Sequence, residues 1–333
     1  MSLPLSRPSL RRQDFDHVLD ALVHDRLTSG EVTRQLGKEV GSAFRLKETS
    51  VLASAADGVR RVARGLGWTA GDKVVVSPLA PPYWAQVLPE MGVEVLFADV
   101  LENSPVLDPE AVKSLAGLGP KAVVSDTCLG YLPDIQALGA LGLPVVEDIS
   151  QGWGGRLGAQ APGTMGVAVL AQFAPETLVA GAGGCLVGFR SAVDLAPPQA
   201  WESLSDLGSA LILSQWKDAA TMAEKKKEHF RQLFHRLPKG YRQPKQAGDA
   251  EVVGPWFPVL CDSGAKDVLA HARKKAVEAD WAFRSQPHLN ADSSGEFCPR
   301  ARAFLFRTLV FPLYATFSLK ELDLLGKVIS SLP

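Results

Sequence analysis

The sequence has few cysteines and no excess of charge of either sign. Its four cysteines, Cys128, Cys185, Cys261 and Cys298, are far apart and never form a C-x-x-C pair. This spacing predicts neither a disulfide framework nor a zinc site, and it favours a reducing, cytoplasmic compartment. Lys and Arg number 35 against 36 Asp and Glu, a net charge of -1. The basic excess that non-specific nucleic-acid or anionic-membrane binding needs is therefore missing.

An export signal and a membrane span are also missing from the pattern. In residues 1–12 the arginines follow a short, proline-broken apolar patch, whereas a secretory signal places positive charge before a long apolar core. The run Leu157–Phe189 has Glu176 as its single Asp, Glu, Lys or Arg. Its many glycines, with Pro162 and Pro175, predict buried strands joined by tight turns instead of a span. We expect no membrane partner.

Short β-rich runs alternate with helix-length segments in the first half of the 333-residue chain. The predicted strands are Ser50–Ala53, Lys73–Ser77, Val93–Phe97, Lys121–Ser125 and Pro144–Glu147. This alternation predicts βαβ crossovers and a largely parallel sheet. Two apolar strands, Val167–Phe173 and Leu178–Phe189, then follow each other without a helix. They predict an added non-crossover strand pair.

Two helices are predicted before the first strand. Residues spaced i, i+3, i+4, i+7 and i+8 indicate a first helix with one buried face. These residues are Phe15, Val18, Leu19, Leu22 and Val23. A second helix begins near Ser29 and carries Val32, Leu36 and Val40 on one face. We expect that face to contribute to a dimer contact.

The long polar-apolar stretch 205–237 predicts one extended helix that bridges two domains. Residues 1–204 form the predicted large domain. Residues 238–333 carry strand and helix patterns of a smaller C-terminal α+β domain. The expected fold class is α/β, with a mixed, mainly parallel sheet in the large domain. The charge run Lys225–Lys227 is interpreted as a solvated helix face.

Polar residues at two strand ends are the first candidates for a functional site, because doubly wound sheets bind ligands beyond the carboxyl ends of their strands. Asp148 ends an apolar strand, and Gln151 follows it by three residues. Ser54, Ala55 and Ala56 stand where another strand turns into a helix whose free amides could face an anion. On pattern alone, Asp148 is equally consistent with a turn or a helix cap.

Six segments occur in an order and at a spacing that are typical of one family. They are Leu27–Val32, Gly71–Val76, Asp108–Val112, Pro144–Gln151, Gly181–Gly184 and Leu309–Tyr314. With them the chain resembles the DegT/DnrJ/StrS-type sugar aminotransferases over nearly its whole length. The resemblance implies the type I fold of pyridoxal phosphate (PLP) enzymes, a homodimer and a nucleotide-sugar ligand. It also implies that Asp148 pairs with the pyridine nitrogen of PLP and that Gln151 binds the ring hydroxyl.

The lysine that forms the family's Schiff base has no counterpart here. The matching loop runs Gln172–Leu178 before the glycines, which places Glu176 at the lysine position, or Thr177 if one residue is skipped. No lysine occurs between Lys121 and Lys217, so a shifted register does not restore it. The related dehydratases use histidine with pyridoxamine phosphate (PMP), and no histidine occurs between residues 24 and 229.

Other cofactor contacts depart from the family pattern as well. The phosphate-binding S-G-T appears as Ser54, Ala55 and Ala56, which lacks the threonine hydroxyl and the close approach that glycine permits. Pro81 stands where an aromatic residue stacks on the ring, and Trp153 replaces a histidine. The N-x-R-M segment that reaches the partner subunit's phosphate is absent. The site is therefore interpreted as a vestigial PLP site.

Three hypotheses remain from the sequence. The first is a non-transaminating member, either a ligand-binding pseudoenzyme or the inactive partner of an active paralogue in a heterodimer. The second is a PMP-dependent lyase or dehydratase in which Glu176 replaces the lysine base. The third is an aminotransferase with an unrecognised anchor. In the first case PLP or PMP binds weakly and non-covalently or not at all.

Overall fold

A seven-stranded sheet forms the frame of the larger part of the molecule. The computed structural model describes residues 2–246, 249–284, 286, 288–289 and 297–333. The strands of this sheet are β1 (Glu48–Leu52), β2 (Lys73–Val76), β3 (Glu94–Phe97), β4 (Ala122–Asp126), β5 (Val145–Asp148), β6 (Ala168–Gln172) and β7 (Cys185–Phe189). Their order is β1-β7-β6-β5-β4-β2-β3.

Strand β7 runs antiparallel to both of its neighbours, and the other pairs of this sheet are parallel. The prediction of a mixed, mainly parallel sheet is confirmed, and so is the non-crossover pair, which is β6 and β7. Alternate residues of each strand point to opposite faces. In β2, for example, Val74 and Val76 join one buried cluster and Val75 joins another.

Helices cover both faces of this sheet. They are α1 (Arg12–Val23), α2 (Glu31–Ala43), α3 (Ala55–Gly65), α4 (Tyr83–Glu90), α5 (Pro109–Ser114), α6 (Ile135–Gly139) and α7 (Asp206–Trp216). Residues of α3 and α4 pack in one core cluster with β1, β2 and β4–β7. Residues of α2 and α7 pack on the opposite face, against β1, β6 and β7. The carboxyl ends of the parallel strands remain the edge where a site can form.

A second, four-stranded sheet is antiparallel throughout, in the order β10-β11-β9-β8. Its elements and the helices around it are α8 (Ala219–Phe234), β8 (Tyr241–Arg242), β9 (Trp256–Cys261), α9 (Ala265–Lys274), β10 (Asp280–Trp281), α10 (Pro299–Arg307), β11 (Thr308–Pro312) and α11 (Leu319–Ser330). The division of the chain into residues 1–204, 205–237 and 238–333 stays a prediction. In the part of the chain that the structure describes, no helix has both the length and the apolar character needed to cross a bilayer.

The first residues of the chain connect the two sheets. Leu3 pairs with Val277 and packs in the core of the small sheet, and Arg7 forms an ion pair with Glu321 at 2.6 Å. Further along, Arg11 pairs with Asp218 at 2.7 Å. The segment 3–11 therefore runs from the small sheet to the junction that follows α7.

The stretch 205–237 is two helices, so the prediction of one extended helix is wrong. Helix α7 ends at Trp216, and α8 begins at Ala219 after Asp218, whose backbone is not helical. The Asp218 carboxylate accepts a hydrogen bond from Gln13 and pairs with Arg11. Aspartate is a poor residue for a helix interior, and these partners from a distant segment hold it at the break.

The lysine run on α8 is not a solvated face. Lys226 and Lys227 are 4% and 7% exposed. Lys227 forms ion pairs with Glu224 at 2.8 Å and Glu251 at 2.6 Å. Because α8 packs against core residues of both sheets, more than one of its faces is buried. The expectation of a solvated face was wrong because a run of charged residues in the sequence does not show which other parts of the chain pack against it.

The apolar stripe of α1 faces outward, so its expected burial is wrong. Phe15, Leu19 and Val23 are 56%, 54% and 73% exposed. The opposite side of α1 is buried at Asp14, which accepts a hydrogen bond from the Ser214 hydroxyl of α7 at 2.7 Å. This hydrogen bond gives the buried Asp14 carboxylate a partner on α7. The apolar side of the helix then lies at the surface.

The expected dimer face of α2 is also wrong. Leu36 and Val40 are 0% exposed and lie in the protomer's own core. They are therefore not available to a second subunit.

Candidate functional site

The carboxylate of Asp148 is saturated with hydrogen bonds from its own chain. It ends β5, is 1% exposed, and its Oδ1 accepts from the backbone N–H and hydroxyl of Ser150 at 3.0 and 2.5 Å. Its Oδ2 accepts from the Tyr83 hydroxyl and the Trp84 indole N–H, both at 2.7 Å. Burial raises the pKa of Tyr83 well above its ordinary value, which keeps this hydroxyl a donor. The four donors match the acceptor capacity of an ionised carboxylate.

A second buried acid, Asp126, lies beside Asp148. It ends β4, pairs in register with Asp148 and is 2% exposed. Burial and the negative charge of Asp148 raise the pKa of Asp126 to about 8. Its Oδ1 has no hydrogen-bond partner among the described residues. Asp126 therefore holds a proton at neutral pH. The sequence interpretation missed it, although it ends a strand just as Asp148 does.

Gln151 lies at the rim of the same strand end. Its side-chain oxygen accepts a hydrogen bond from the backbone N–H of Leu129 at 2.7 Å. Both residues line a cleft that is described below. Gln151 thus lines the cleft and Asp148 does not, and both side chains have hydrogen-bond partners within the chain.

The loop at the lysine position presents Glu176 and not Thr177 as its free polar group. The Thr177 hydroxyl lies 2.8 Å from the carbonyl oxygens of both Ala174 and Val179, so its hydrogen-bonding capacity is used within the loop. Glu176 is half-buried and lines the cleft together with Ser150, Gln151 and Gln172. Thr177 lines the same cleft, so both alignments that the sequence leaves open stay predictions.

The start of α3 carries an anion of its own. Ser54 caps the helix: its hydroxyl oxygen accepts from the Asp57 N–H at 3.1 Å and donates to the Asp57 carboxylate at 2.6 Å. The Asp57 carboxylate also pairs with Arg60 at 3.2 Å. Ala55 is buried, and Ala56 is half-buried with no polar group on its side chain. The positive end of the helix dipole is therefore already compensated.

The two residues that replace family aromatic and histidine positions also differ in their surroundings. Pro81 lines the cleft, where it offers only an apolar surface. Trp153 is 3% exposed and stacks on Trp216 with ring centroids 5.0 Å apart. Trp153 thus belongs to the core that α7 covers, and it is not a cleft residue.

A cleft of about 420 Å³ opens between the strand ends of the large sheet and the small sheet. Its walls include Tyr83, Trp256, Trp281 and Phe283, and its amides include Gln151, Gln172 and Gln286. Its charged residues are Glu176, Asp280 and Arg284, of which the last two form an ion pair at 2.6 Å. Asp126 and Asp148 lie beneath the strand ends and do not line it.

Lys226 is a buried amine that the sequence interpretation missed. Burial lowers its pKa to about 7, against the opposing influence of the negative charge of Glu176. It follows Met222 and Ala223 by one helical turn, and these two residues lie in the core. That apolar spacing is the signal that could have predicted a buried lysine. Within the described ranges, no group of three or more His, Cys, Asp or Glu side chains could hold a metal ion.

The residues in place do not fit PLP. The oxygens that would face the pyridine nitrogen are occupied by Tyr83, Trp84 and Ser150. The helix start that would hold the phosphate carries the Asp57 carboxylate, and a phosphate there would meet a like charge. The loop at the lysine position offers Glu176 in place of an amine.

Comparison with known proteins places the chain in an aminotransferase family by sequence, and it shows the same fold in structures described as sugar aminotransferases. Residues 8–192 match the family described as the DegT/DnrJ/EryC1/StrS aminotransferase family. Protein Spr1654 of Streptococcus pneumoniae, a sugar aminotransferase by its description, superposes in its PMP form with a TM-score of 0.88 at 15% identity, over 100% of this chain and 98% of that one.

Two further structures show the same fold. PseC of Helicobacter pylori, an aminotransferase in the biosynthesis of pseudoaminic acid, gives a TM-score of 0.87 at 18% identity over 99% of this chain and 98% of its own. A mutant of GDP-4-keto-6-deoxymannose-3-dehydratase (ColD) with bound GDP-perosamine gives a TM-score of 0.86 at 14% identity, over 98% of this chain and 100% of that one. The expected type I PLP fold is thereby confirmed.

Proposed function

This chain belongs to the DegT/DnrJ/EryC1/StrS aminotransferase family, and from that premise we propose that it is a non-transaminating member. It acts as a ligand-binding pseudoenzyme or as the inactive partner of an active paralogue. The observation that carries the proposal is the hydrogen bonding of Asp148, whose two oxygens accept four donors from Tyr83, Trp84 and Ser150. A pyridine ring nitrogen would have to displace at least one of these donors to reach the carboxylate.

The position expected for the cofactor phosphate and the position expected for the lysine support the same proposal. Asp57 supplies the negative charge at the start of α3, so binding a phosphate there requires moving a carboxylate that Ser54 and Arg60 hold. No residue between Lys121 and Lys217 can form a Schiff base, because no lysine occurs there. Covalent retention, phosphate binding and ring binding are thus weakened by three separate groups of residues.

The test is spectroscopic. The purified protein should be colourless, and added PLP should give no aldimine absorption band and no borohydride-fixed adduct. The Glu176→Lys variant, which restores an amine at the lysine position, should also give no band, because Asp148 and Asp57 keep their partners. A yellow preparation with an adduct at one specific lysine would overturn the proposal.

The second candidate is a PMP-dependent dehydratase or lyase, which the position of Glu176 in the cleft favours. In that case Glu176 moves the proton that lysine moves in other members. Reversible PMP binding that Glu176→Gln leaves intact, with loss of turnover, would support this candidate. A borohydride adduct at Lys226 would instead support the third hypothesis, because a buried amine with a lowered pKa is a competent nucleophile.

The proposal includes a dimer, homomeric or with a paralogue, in the cytoplasm. Its support is the exposed apolar stripe of α1, which includes Phe15, Leu19, Leu22 and Val23. Exposed apolar patches of this kind mark protein contacts. Replacing Leu19 with Lys should shift the sedimentation coefficient towards that of a monomer, and a wild-type monomer at micromolar concentration would contradict the proposal.

A further inference from the structure

The cleft between the two sheets has an aromatic lining. Trp256 on β9 and Trp281 on β10 flank the central strand β11, and Tyr83 and Phe283 complete the apolar part of the wall. Both tryptophans are half-buried, so their rings present surface to the cleft. Aromatic rings attract organic cations through the negative potential of the ring face.

The charge of the cleft is negative. Asp280 and Arg284 compensate each other in their ion pair. Glu176 has no ion pair within 4.0 Å among the residues that the structure describes. Lys226 is not among the residues that line the cleft and forms no ion pair with Glu176 within 4.0 Å, and burial lowers its pKa to about 7 against the influence of the Glu176 charge. One carboxylate is therefore left to face a ligand.

The same lining is unsuited to a phosphate. Arg284 is its one basic side chain among the described residues, and Asp280 already engages it. Residues 285, 287 and 290–296, outside the described ranges, include no lysine or arginine in sequence. Phosphate recognition in proteins relies on Arg, Lys or free helix amides. The nucleotide sugar that the family resemblance implies carries a negatively charged diphosphate, which would thus lie in a cleft that is also negatively charged.

We propose that this cleft binds a small, hydroxylated organic amine in its protonated form, and that it does not bind a nucleotide diphosphate sugar. The ammonium group is bound by Glu176, the body of the ligand packs against Trp256 and Trp281, and Gln151 and Gln172 are within the same lining to contact hydroxyls. The inference rests on the proposed function in that the chain binds a ligand without transaminating it.

Three hexose probes test the charge preference on one ring. Binding of glucosamine, glucose and UDP-glucose is followed by tryptophan fluorescence and calorimetry at neutral pH. Glucosamine should bind at least tenfold more tightly than glucose, because only glucosamine offers an ammonium group to Glu176. UDP-glucose should bind more weakly than glucosamine. Tighter binding of UDP-glucose, or equal binding of glucose and glucosamine, would overturn the inference.

Substitution of the carboxylate supplies the second test. Glu176→Gln should lower the affinity for glucosamine at least tenfold and leave the affinity for glucose unchanged. The matched control is Glu110→Gln on α5, whose side chain is 77% exposed and which should change neither affinity. Circular dichroism establishes that both variants fold. Unchanged glucosamine affinity in Glu176→Gln would contradict the assignment of the ammonium site.

The absorbance experiment separates this inference from the proposed function. Failure of glucosamine to bind a protein that gives no PLP band overturns the amine assignment and leaves the proposed function standing. A PLP band overturns the proposed function, and the Glu176→Gln comparison then still decides the amine assignment.

Discussion

The two places that would hold the ends of a PLP molecule differ in how this chain fills them. At the strand end, Asp148 is fully buried, and two of its four donors come from α4, distant in sequence, while the other two belong to Ser150. At the helix start, Ser54 and Asp57 are partly exposed and satisfy each other within four residues. The first arrangement depends on tertiary packing, and the second depends on local capping. The polar groups at these two places are thus satisfied within the chain by different means.

The largest effect is expected at the buried strand end, in the pH dependence of stability. The folded protein keeps a proton on Asp126, whose pKa is raised to about 8, whereas the unfolded chain releases it near pH 4. The native state then binds more protons between these values, so the free energy of unfolding should fall as pH rises from 4 to 8. Asp126→Asn should remove the part of this fall that Asp126 contributes and stabilise the protein at pH 8 by on the order of 3–5 kcal/mol, while burial, which also raises the pKa of Asp148, leaves a smaller fall in the variant.

Urea unfolding at pH 4.5, 6 and 8 measures this dependence. Asp16→Asn, at an exposed position of α1, is the matched control and should retain the wild-type slope. A loss of stability in Asp126→Asn at pH 8 would mean that Asp126 is ionised and paired in the native state.

A smaller loss is expected when one donor to Asp148 is removed. Trp84 is 0% exposed, and Trp84→Phe keeps a ring but deletes the indole N–H that reaches Oδ2. The buried carboxylate then lacks one partner, which should cost about 1–3 kcal/mol in the free energy of unfolding. The control Trp201→Phe alters a side chain that is 78% exposed and should cost little. Equal costs for the two variants would show that this hydrogen bond contributes nothing.

The smallest effect is expected at the helix start. Ser54→Ala removes the cap of α3 and should cost about 1 kcal/mol. Ser42→Ala is the control, because Ser42 is exposed and its hydroxyl only bonds the Lys38 carbonyl within α2. Denaturant unfolding compares the two. If Ser54→Ala costs more than Trp84→Phe, the contrast between a tertiary and a local arrangement is wrong.

Much of the fold could be predicted because each strand is short and apolar and ends at a turn residue. The predicted strands Lys73–Ser77 and Pro144–Glu147 agree with β2 and β5 to within one residue at each end. The break at Asp218 could not be predicted, because the partners that hold it come from Gln13 and Arg11. The outward orientation of the apolar stripe of α1 could not be predicted for a related reason. Periodicity shows that one face of the helix is apolar, but it does not show what covers that face.

At the candidate site, the sequence predicts which polar residues follow the same strand, but not which groups form hydrogen bonds with them. Asp148 and Gln151 could be placed together because they share one strand end. Tyr83 and Trp84 could not be identified as donors, since they precede Asp148 by 65 and 64 residues. The burial of Lys226 could not be predicted either. Its helix carries polar and apolar residues on several faces, and which of them are buried depends on the packing of the second sheet.

The N-terminal segment 3–11 passes beside the cleft, whose lining includes Leu5. It is fixed to the small sheet by the pairing of Leu3 with Val277 and to the other side by the ion pair of Arg11 with Asp218. A hinge motion that widened the cleft would have to break one of these attachments. The two sides of the cleft are thus joined by a covalent path of fewer than ten residues, in addition to the chain that follows α7.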